Sequence, residues 1–417
     1  MKIEINGLYG RKNLLVDLNQ DVSIIMAENG SGKTTTLKFI ESIFTGCLEN
    51  LVDIQFDDIQ IIDGKKKVTI QKKEIEVPYY VLLNQLKKRD AKKYERLKRE
   101  MLEYSSIDER EEFIEHRIRR YTYDMDLNPS FFYRYSENSE SKKSSLKKII
   151  KKANSLKKEN VVLFPTYRRV EKDLSIKLEN QEKEISIAFG MKDVKEKFER
   201  IQNELSIQAL DLASSINKKL IVDAMTDKEP PKKFFESIID NKEDIDLMLD
   251  RTRITSQKKH LMDIILSKDF SKTKVALAQI IYHLTDGFRE LKKKDNKIKK
   301  FVDVVNEYLI GNKFVYDDRL VKIYCVNQES RDVIDLDYLS SGEKQIVGLL
   351  SFLYLSEKND YTIIIDEPEI SLSTEWQERL ITDIMNSGSV RSLICATHSP
   401  YIFKENHIGN LVPLISK

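Results

Sequence analysis

At 417 residues the chain is long enough to bury a substantial core and to form two lobes. A third of its residues are charged, yet the formal net charge is only +2, so bulk charge selects no class of partner. No apolar run approaches the roughly twenty residues of a membrane helix, Met1 to Asn6 reads as a charged strand rather than a leader, and Cys47, Cys325 and Cys395 lack ligand spacing; these features argue against membrane insertion, a zinc site or a disulfide framework, and for a cytoplasmic setting.

In chain order, Lys2 to Asn6 and Leu14 to Leu18 read as strands, and Val22 to Met26 as an apolar strand. Ala27-Glu28-Asn29-Gly30-Ser31-Gly32-Lys33-Thr34 then opens a helix-compatible run, Thr34 to Phe44, the context a phosphate-binding loop requires. Asn29, Gly30, Ser31, Gly32 and Thr35 supply backbone amides around phosphates, Lys33 reaches the terminal phosphates, and the Thr34 hydroxyl suits Mg²⁺. The first glycine usual in such loops is Ala27 here, a departure by one methyl group. Ile54 to Asp63 and Lys67 to Val77 alternate around Asp63-Gly64, which predicts a hairpin.

From about Pro78 the chain turns long, charged and helix-favouring. Leu83, Leu86, Tyr94, Leu97, Met101 and Tyr104 fall near one helical face, and Val194, Phe198, Ile201, Leu205 and Leu212 form a second stripe. A helix of about thirty residues spans only about 45 Å, too short for the arms of chromosome-organising proteins. Within Asn128 to Asn160, Ser141 through Lys158 has lysine pairs and no acidic residue; it reads either as a solvated, mobile insertion or as a sequence-independent contact with nucleic-acid phosphates, with Phe131, Phe132, Tyr133 and Tyr135 only upstream. Val161 to Phe164 regains strand character before Pro165-Thr166-Tyr167-Arg168-Arg169. A second helical stretch, about Glu171 to Gly311, is interrupted at Glu229-Pro230-Pro231.

Strands near Lys313 to Tyr316, Leu320 to Val326 and Val333 to Leu336 lead into Leu339-Ser340-Ser341-Gly342-Glu343, followed by a helical run from Glu343 to Leu355. Tyr361 to Ile365 is fully apolar, as the centre of a parallel sheet demands, and delivers Asp366 and Glu367 at its end. Such a pair divides the work: Asp366 binds Mg²⁺, and Glu367 orients and deprotonates an attacking water. A further strand, Ser392 to Thr397, ends in His398, a residue type suited to sensing a γ-phosphate.

Together these segments resemble ABC-type ATPases. Leu339 to Glu343 looks like their signature motif, with Ser341 where glycine is common and Glu343 where transporters carry glutamine. Asp366 to Ser373 with Trp376-Gln377, and Ala396-Thr397-His398-Ser399-Pro400, resemble the SMC-like and overcoming-lysogenization-defect (OLD) branch, and Leu163 to Arg169 looks like a strand of ATPase subunits in anti-phage defence systems such as PARIS and Septu. The resemblance implies an α/β fold: an ABC-type P-loop head, with a mixed sheet and an antiparallel layer, carrying a large helical insertion. Residues 1–77 and 312–417 would form the head lobes and residues 78–311 the insertion, crossed by a head strand near 161–169. It implies ATP and Mg²⁺ as ligands, Arg11, with Tyr9 and Lys12, near the adenine or phosphates, and Ser340 and Gly342 against the γ-phosphate of a second copy in a head-to-head dimer.

The stretch after His398 is too short for the TOPRIM nuclease of OLD-type proteins, so a separate effector, a nuclease or toxin, is expected, with DNA or a phage component as trigger. A DNA-repair ATPase resembling RecF or Rad50 and a non-catalytic ATP-gated scaffold remain as alternatives. A transporter motor departs from the pattern at Glu343, at Ser373 and in the large insertions.

Overall fold

The computed structural model of the chain describes residues 1–28, 30–76, 78–102, 139–164, 191–226, 242–252, 258–259, 262–263, 275–403 and 408–416. In chain order the elements of its first half are β1 (Lys2–Leu8), β2 (Lys12–Asp17), β3 (Val22–Met26), α1 (Lys33–Thr45), β4 (Asp58–Asp63), β5 (Lys66–Gln71), α2 (Lys72–Ile75), α3 (Pro78–Arg89), α4 (Ala91–Leu102), α5 (Ser139–Leu156) and β6 (Val161–Phe164). There follow α6 (Met191–Thr226), α7 (Lys242–Arg251), α8 (Val275–Asn306), β7 (Asn312–Asp317), β8 (Lys322–Asn327), β9 (Val333–Ile334), α9 (Ser341–Tyr354), β10 (Tyr361–Asp366), α10 (Thr374–Met385), β11 (Val390–Thr397), β12 (Leu411–Pro413) and β13 (Ile415–Ser416). The chain divides into two compact units, residues 1–188 with 358–417, and residues 189–357.

The first unit holds two five-stranded sheets. One is parallel, in the order β12-β3-β11-β10-β6, and the other antiparallel, in the order β13-β2-β1-β4-β5. All six residues of β10 are buried, which explains why that strand is apolar without alternation. Helix α1 presents Leu37, Phe39, Ile40, Ile43 and Phe44 to one core shared with Ile3, Ile5, Ile59, Ile61, Ile364 and Ile394. Phe39 meets Phe56 edge to face at 5.1 Å within it. This α/β architecture, a parallel sheet with an antiparallel layer and a large helical portion elsewhere in the chain, is the predicted P-loop ATPase class.

Three expectations change. The strand after the hairpin stops at Gln71 instead of running to Val77, because Gln71 and Glu74 form a capping box that starts α2, the Gln71 N–H donating to Glu74 at 2.8 Å. The apolar stripe beginning at Leu83 belongs to two helices: the Asp90 carboxylate accepts from the Lys93 N–H at 2.9 Å and starts α4 afresh. Leu83, Leu86, Tyr94 and Leu97 are nevertheless buried as the spacing predicts, while Tyr104 lies outside the described residues. Finally, the lysine-rich tract is not a free insertion over its second half. Ile149, Ala153 and Leu156 of α5 enter the core, and Lys152 donates to the Thr69 carbonyl and the Glu74 carboxylate, each at 2.8 Å. The aromatic residues Phe131 to Tyr135, the arginines 168 and 169 and the Pro230-Pro231 break lie outside the described residues.

The second unit is built on α6 and α8, of 36 and 32 residues, running antiparallel: Phe198 faces Phe301, Leu212 faces Gly287, and Asp223 faces His283. A Cβ on Gly287 would fall 2.0 Å from Leu212 Cδ1, so the Leu212 side chain occupies the space a side chain at 287 would need. Arg251 of α7 makes a two-pronged bond to Asp295 of α8, both contacts 2.9 Å, and donates to the Asp318 carbonyl at 2.7 Å. Phe314 of β7 closes the aromatic cluster with Phe198 and Phe301. Residues 312–357, with the three-stranded sheet β7-β8-β9 and α9, group with these helices.

Candidate functional site

Parallel strands align the candidate residues before any side chain acts. Register pairs Asp366 with Ala396 and Ala396 with Ile25, so the C-terminal ends of β10, β11 and β3 lie side by side. Ligand sites of open parallel sheets form at this edge. Three loops leave it: the glycine-rich loop after β3, the Asp366-Glu367 turn after β10, and the His398 turn after β11.

The glycine-rich loop has the conformation a phosphate cradle needs. Gly30 and Gly32 have φ of +76° and +106°, and a Cβ on Gly32 would press to 3.2 Å from Leu14 Cδ1. Ala27 does not adopt positive φ, so the departure at the loop entrance carries no backbone strain. Helix α1 starts at Lys33 with no side-chain cap and no acidic residue in its first turn, leaving its dipole and leading amides to an anion. The Lys33 ammonium is buried and donates to the carbonyls of Ala27 at 2.5 Å and Glu28 at 3.1 Å, which holds it across the mouth of the loop. Ser31 Oγ is buried without a hydrogen-bond partner among the described residues, a polar atom that a phosphate oxygen would satisfy. Asn29 lies outside the described residues. Arg11 is exposed on the turn between β1 and β2, and it is the next residue, Lys12, that reaches the loop, donating to the Gly30 carbonyl at 3.1 Å.

Thr34 and Asp366 meet: the Thr34 hydroxyl donates to Asp366 Oδ2 at 2.8 Å, across 332 positions of sequence. A hydroxyl and a carboxylate on that spot, beside a phosphate cradle, fit Mg²⁺, which takes oxygen ligands and completes its shell with phosphate and water. Among the described residues no group of three or more His, Cys, Asp and Glu could hold a metal ion together.

Glu367 sits half-buried with φ of +51°, a left-handed conformation costly for a residue with a Cβ. Its N–H donates to the Ala396 carbonyl at 2.8 Å, and its carbonyl accepts from Ile370 at 3.2 Å, so the turn is fixed from both sides. Two residues on, Glu369 is buried and its Oε1 faces His398, 2.9 Å from the backbone N–H and 2.8 Å from ring Nδ1. Ser399 donates to Gln377 Oε1 at 2.5 Å, and Gln377 Nε2 donates to the Leu372 carbonyl at 2.9 Å. Glu369, Gln377 and Ser399 were given no role from the sequence; the one signal was the position of Glu369 three residues past Asp366. Cys395, one strand position before Ala396, is no nucleophile: burial, and less strongly the Glu369 carboxylate, raise its thiol far above the usual value.

Ser340 and Gly342 belong to the second unit. Ser340 is the exposed N-cap of α9, its hydroxyl accepting from the Glu343 N–H at 3.3 Å, while Glu343 Oε2 accepts from the Ser340 N–H at 2.8 Å. This capping box accounts for the acidic residue at 343 and caps the helix N-terminus, where Ser340 and Ser341 are exposed and Gly342 is buried.

Residues 1–403 match the AAA ATPase domain family. The chain belongs to that family. The search of curated protein sequences with this chain found no match. Among solved structures it is similar to the Smc head domain with an extended coiled coil, bound to the C-terminal domain of ScpA, from Pyrococcus furiosus, at 12% identity over 100% of this chain and 95% of that one with a TM-score of 0.36. A second SmcHead, bound to the C-winged helix domain of ScpA, gives 12% identity over 37% of this chain and 49% of that one, with a TM-score of 0.23. Among the described residues no helix is long and apolar enough to cross a membrane.

Proposed function

We propose that this AAA ATPase domain binds ATP in the glycine-rich cradle and hydrolyses it with the Asp366-Glu367 pair, and that the cycle switches an assembly of two or more copies. The observation that carries the reading is the 2.8 Å contact of Thr34 with Asp366, which joins the two halves of the motif set at one sheet edge. Bound Mg²⁺ would neutralise charge on the β- and γ-phosphate oxygens. The backbone amides from Asn29 to Thr35 and the Lys33 ammonium bind the phosphates. Glu367 orients a water and takes its proton, and His398 contacts the γ-phosphate.

By the resemblance of Leu339 to Glu343 to the signature motif, Ser340 and Gly342 at the α9 N-terminus would meet the γ-phosphate of a second copy in an ATP-dependent head-to-head dimer. By the resemblance of the sequence Leu163 to Arg169 to a strand of ATPase subunits in anti-phage defence systems, the switch serves as the sensor or regulatory subunit of such a system. It would answer DNA or a phage component and control a separate nuclease or toxin.

Glu367→Gln should keep nucleotide binding while lowering kcat about 10²- to 10⁴-fold, the usual worth of a positioned general base. Loaded with ATP and Mg²⁺, that variant should double its mass by light scattering. A variant that binds nucleotide and stays monomeric removes the dimer, and one that hydrolyses at the native rate removes the assigned base.

A further inference from the structure

We infer that Glu369 is the positioning residue for His398: it selects the protonated nitrogen of the ring and fixes the direction in which the other nitrogen points. The inference rests on the reading of His398 as the group that contacts the γ-phosphate, and it adds a residue to that site.

One carboxylate oxygen of Glu369 takes both polar hydrogens that His398 can turn towards it, the backbone N–H at 2.9 Å and ring Nδ1 at 2.8 Å. A carboxylate only accepts, so the proton on this side of the ring is on Nδ1, and Nε2 is left for the outer side. The His398 side chain is 49% exposed and that of Glu369 only 5%, so the ring carries the contact from a buried anchor out to the open edge of the sheet. The second oxygen, Oε2, is buried with no hydrogen-bond partner among the described residues. A carboxylate placed merely to stabilise the fold would be expected to have both oxygens satisfied, since an unpaired buried acceptor is costly.

Two other links also tie this region together: Glu367 N–H to the Ala396 carbonyl at 2.8 Å, and Ser399 Oγ to Gln377 Oε1 at 2.5 Å, with Gln377 in turn bonded to Leu372. What Glu369 adds beyond them is control of the ring. Glu369 therefore anchors the Nδ1 side of the His398 ring to a buried carboxylate and leaves Nε2 on the opposite side, so the ring is not free to rotate.

Two readouts test this. In ATP turnover, Glu369→Ala should lower kcat about 10-fold or more, the scale on which residues that orient an imidazole act, with the KM for ATP and the melting temperature little changed. Glu369→Gln, whose amide oxygen can still accept from both hydrogens, should recover part of that loss. Combined with His398→Ala, Glu369→Ala should cost nothing further, because its effect passes through the ring. In ¹⁵N spectra of histidine-labelled protein, which has five histidines, one ring should show the Nδ1–H form in the native chain and lose it in Glu369→Ala.

Equal losses from Glu369→Ala with and without His398, or a ring whose protonation pattern ignores Glu369, would overturn the inference. If His398→Ala turns over ATP at the native rate while the ring signal still follows Glu369, the positioning stands and the γ-phosphate reading falls.

Discussion

At the scale of single residues, the site combines groups fixed by their own backbone with groups fixed by neighbours. Lys33 and Thr34 stand where the start of α1 puts them, and Glu367 is presented by a left-handed turn that few side chains adopt. These residues were legible in the sequence, because a glycine-rich loop after an apolar strand and two carboxylates after another leave few alternative structures. Glu369 and Gln377 were not, since nothing in the string tells that positions 369 and 398, or 377 and 399, face one another. The same limit hid Lys197 in the second unit. Its ammonium donates to the Ser351 carbonyl at 2.9 Å, and burial, aided by Arg200, pushes its pKa down from 10.5 to about 8. The folded state therefore binds fewer protons than the unfolded one between about pH 8 and about pH 10.5. The penalty is fully present below about pH 8 and is relieved as pH rises through that window. Urea unfolding should show the stability of the native chain rising relative to Lys197→Met from about pH 7 to about pH 10; a constant difference would mean that Lys197 keeps an ordinary titration.

At the scale of elements, type was easier to read than extent. The strands β3, β10 and β11 could be placed because buried parallel strands are apolar throughout, and α9 because its apolar spacing suits a helix. The errors fell at boundaries set by one side-chain-to-backbone bond, such as the capping carboxylates of Glu74 and Asp90, which periodicity does not record. The α6–α8 pair contains a feature that the hydrophobic stripe could not reveal either, the close approach at Gly287. Gly287→Ala raises local helix propensity by up to about 1 kcal/mol, yet forces a methyl group into Leu212. Overpacking of this kind costs about 1–3 kcal/mol, so the second unit should lose net stability in denaturant unfolding. Leu212→Ala in the same chain should restore part of it, by making room for the new methyl group. A Gly287→Ala protein more stable than the native chain would show that the Leu212 side chain moves aside at little cost.

At the scale of the whole molecule, the proposed nucleotide site lies in a unit assembled from two stretches of chain, residues 1–188 and 358–417. Ligand that binds only the folded form raises stability by RT ln(1 + [L]/Kd), about 2.7 kcal/mol at a hundredfold excess over Kd. Mg²⁺ and ATP should therefore raise the melting temperature of Glu367→Gln, and the rise should vanish when Lys33→Ala is added. A shift that survives loss of Lys33 would place the nucleotide elsewhere. The order of strands in the parallel sheet has a consequence during synthesis. β3 is flanked by β11 and β12, both made at the far end of the chain, so it leaves the ribosome without either neighbour. At about 5–20 residues per second, the 332 positions separating Thr34 from Asp366 take about 15–65 s to translate. For that interval an apolar segment, Val-Ser-Ile-Ile-Met, waits with unpaired edges, and nascent chains of this protein should depend on chaperones until their last strands emerge.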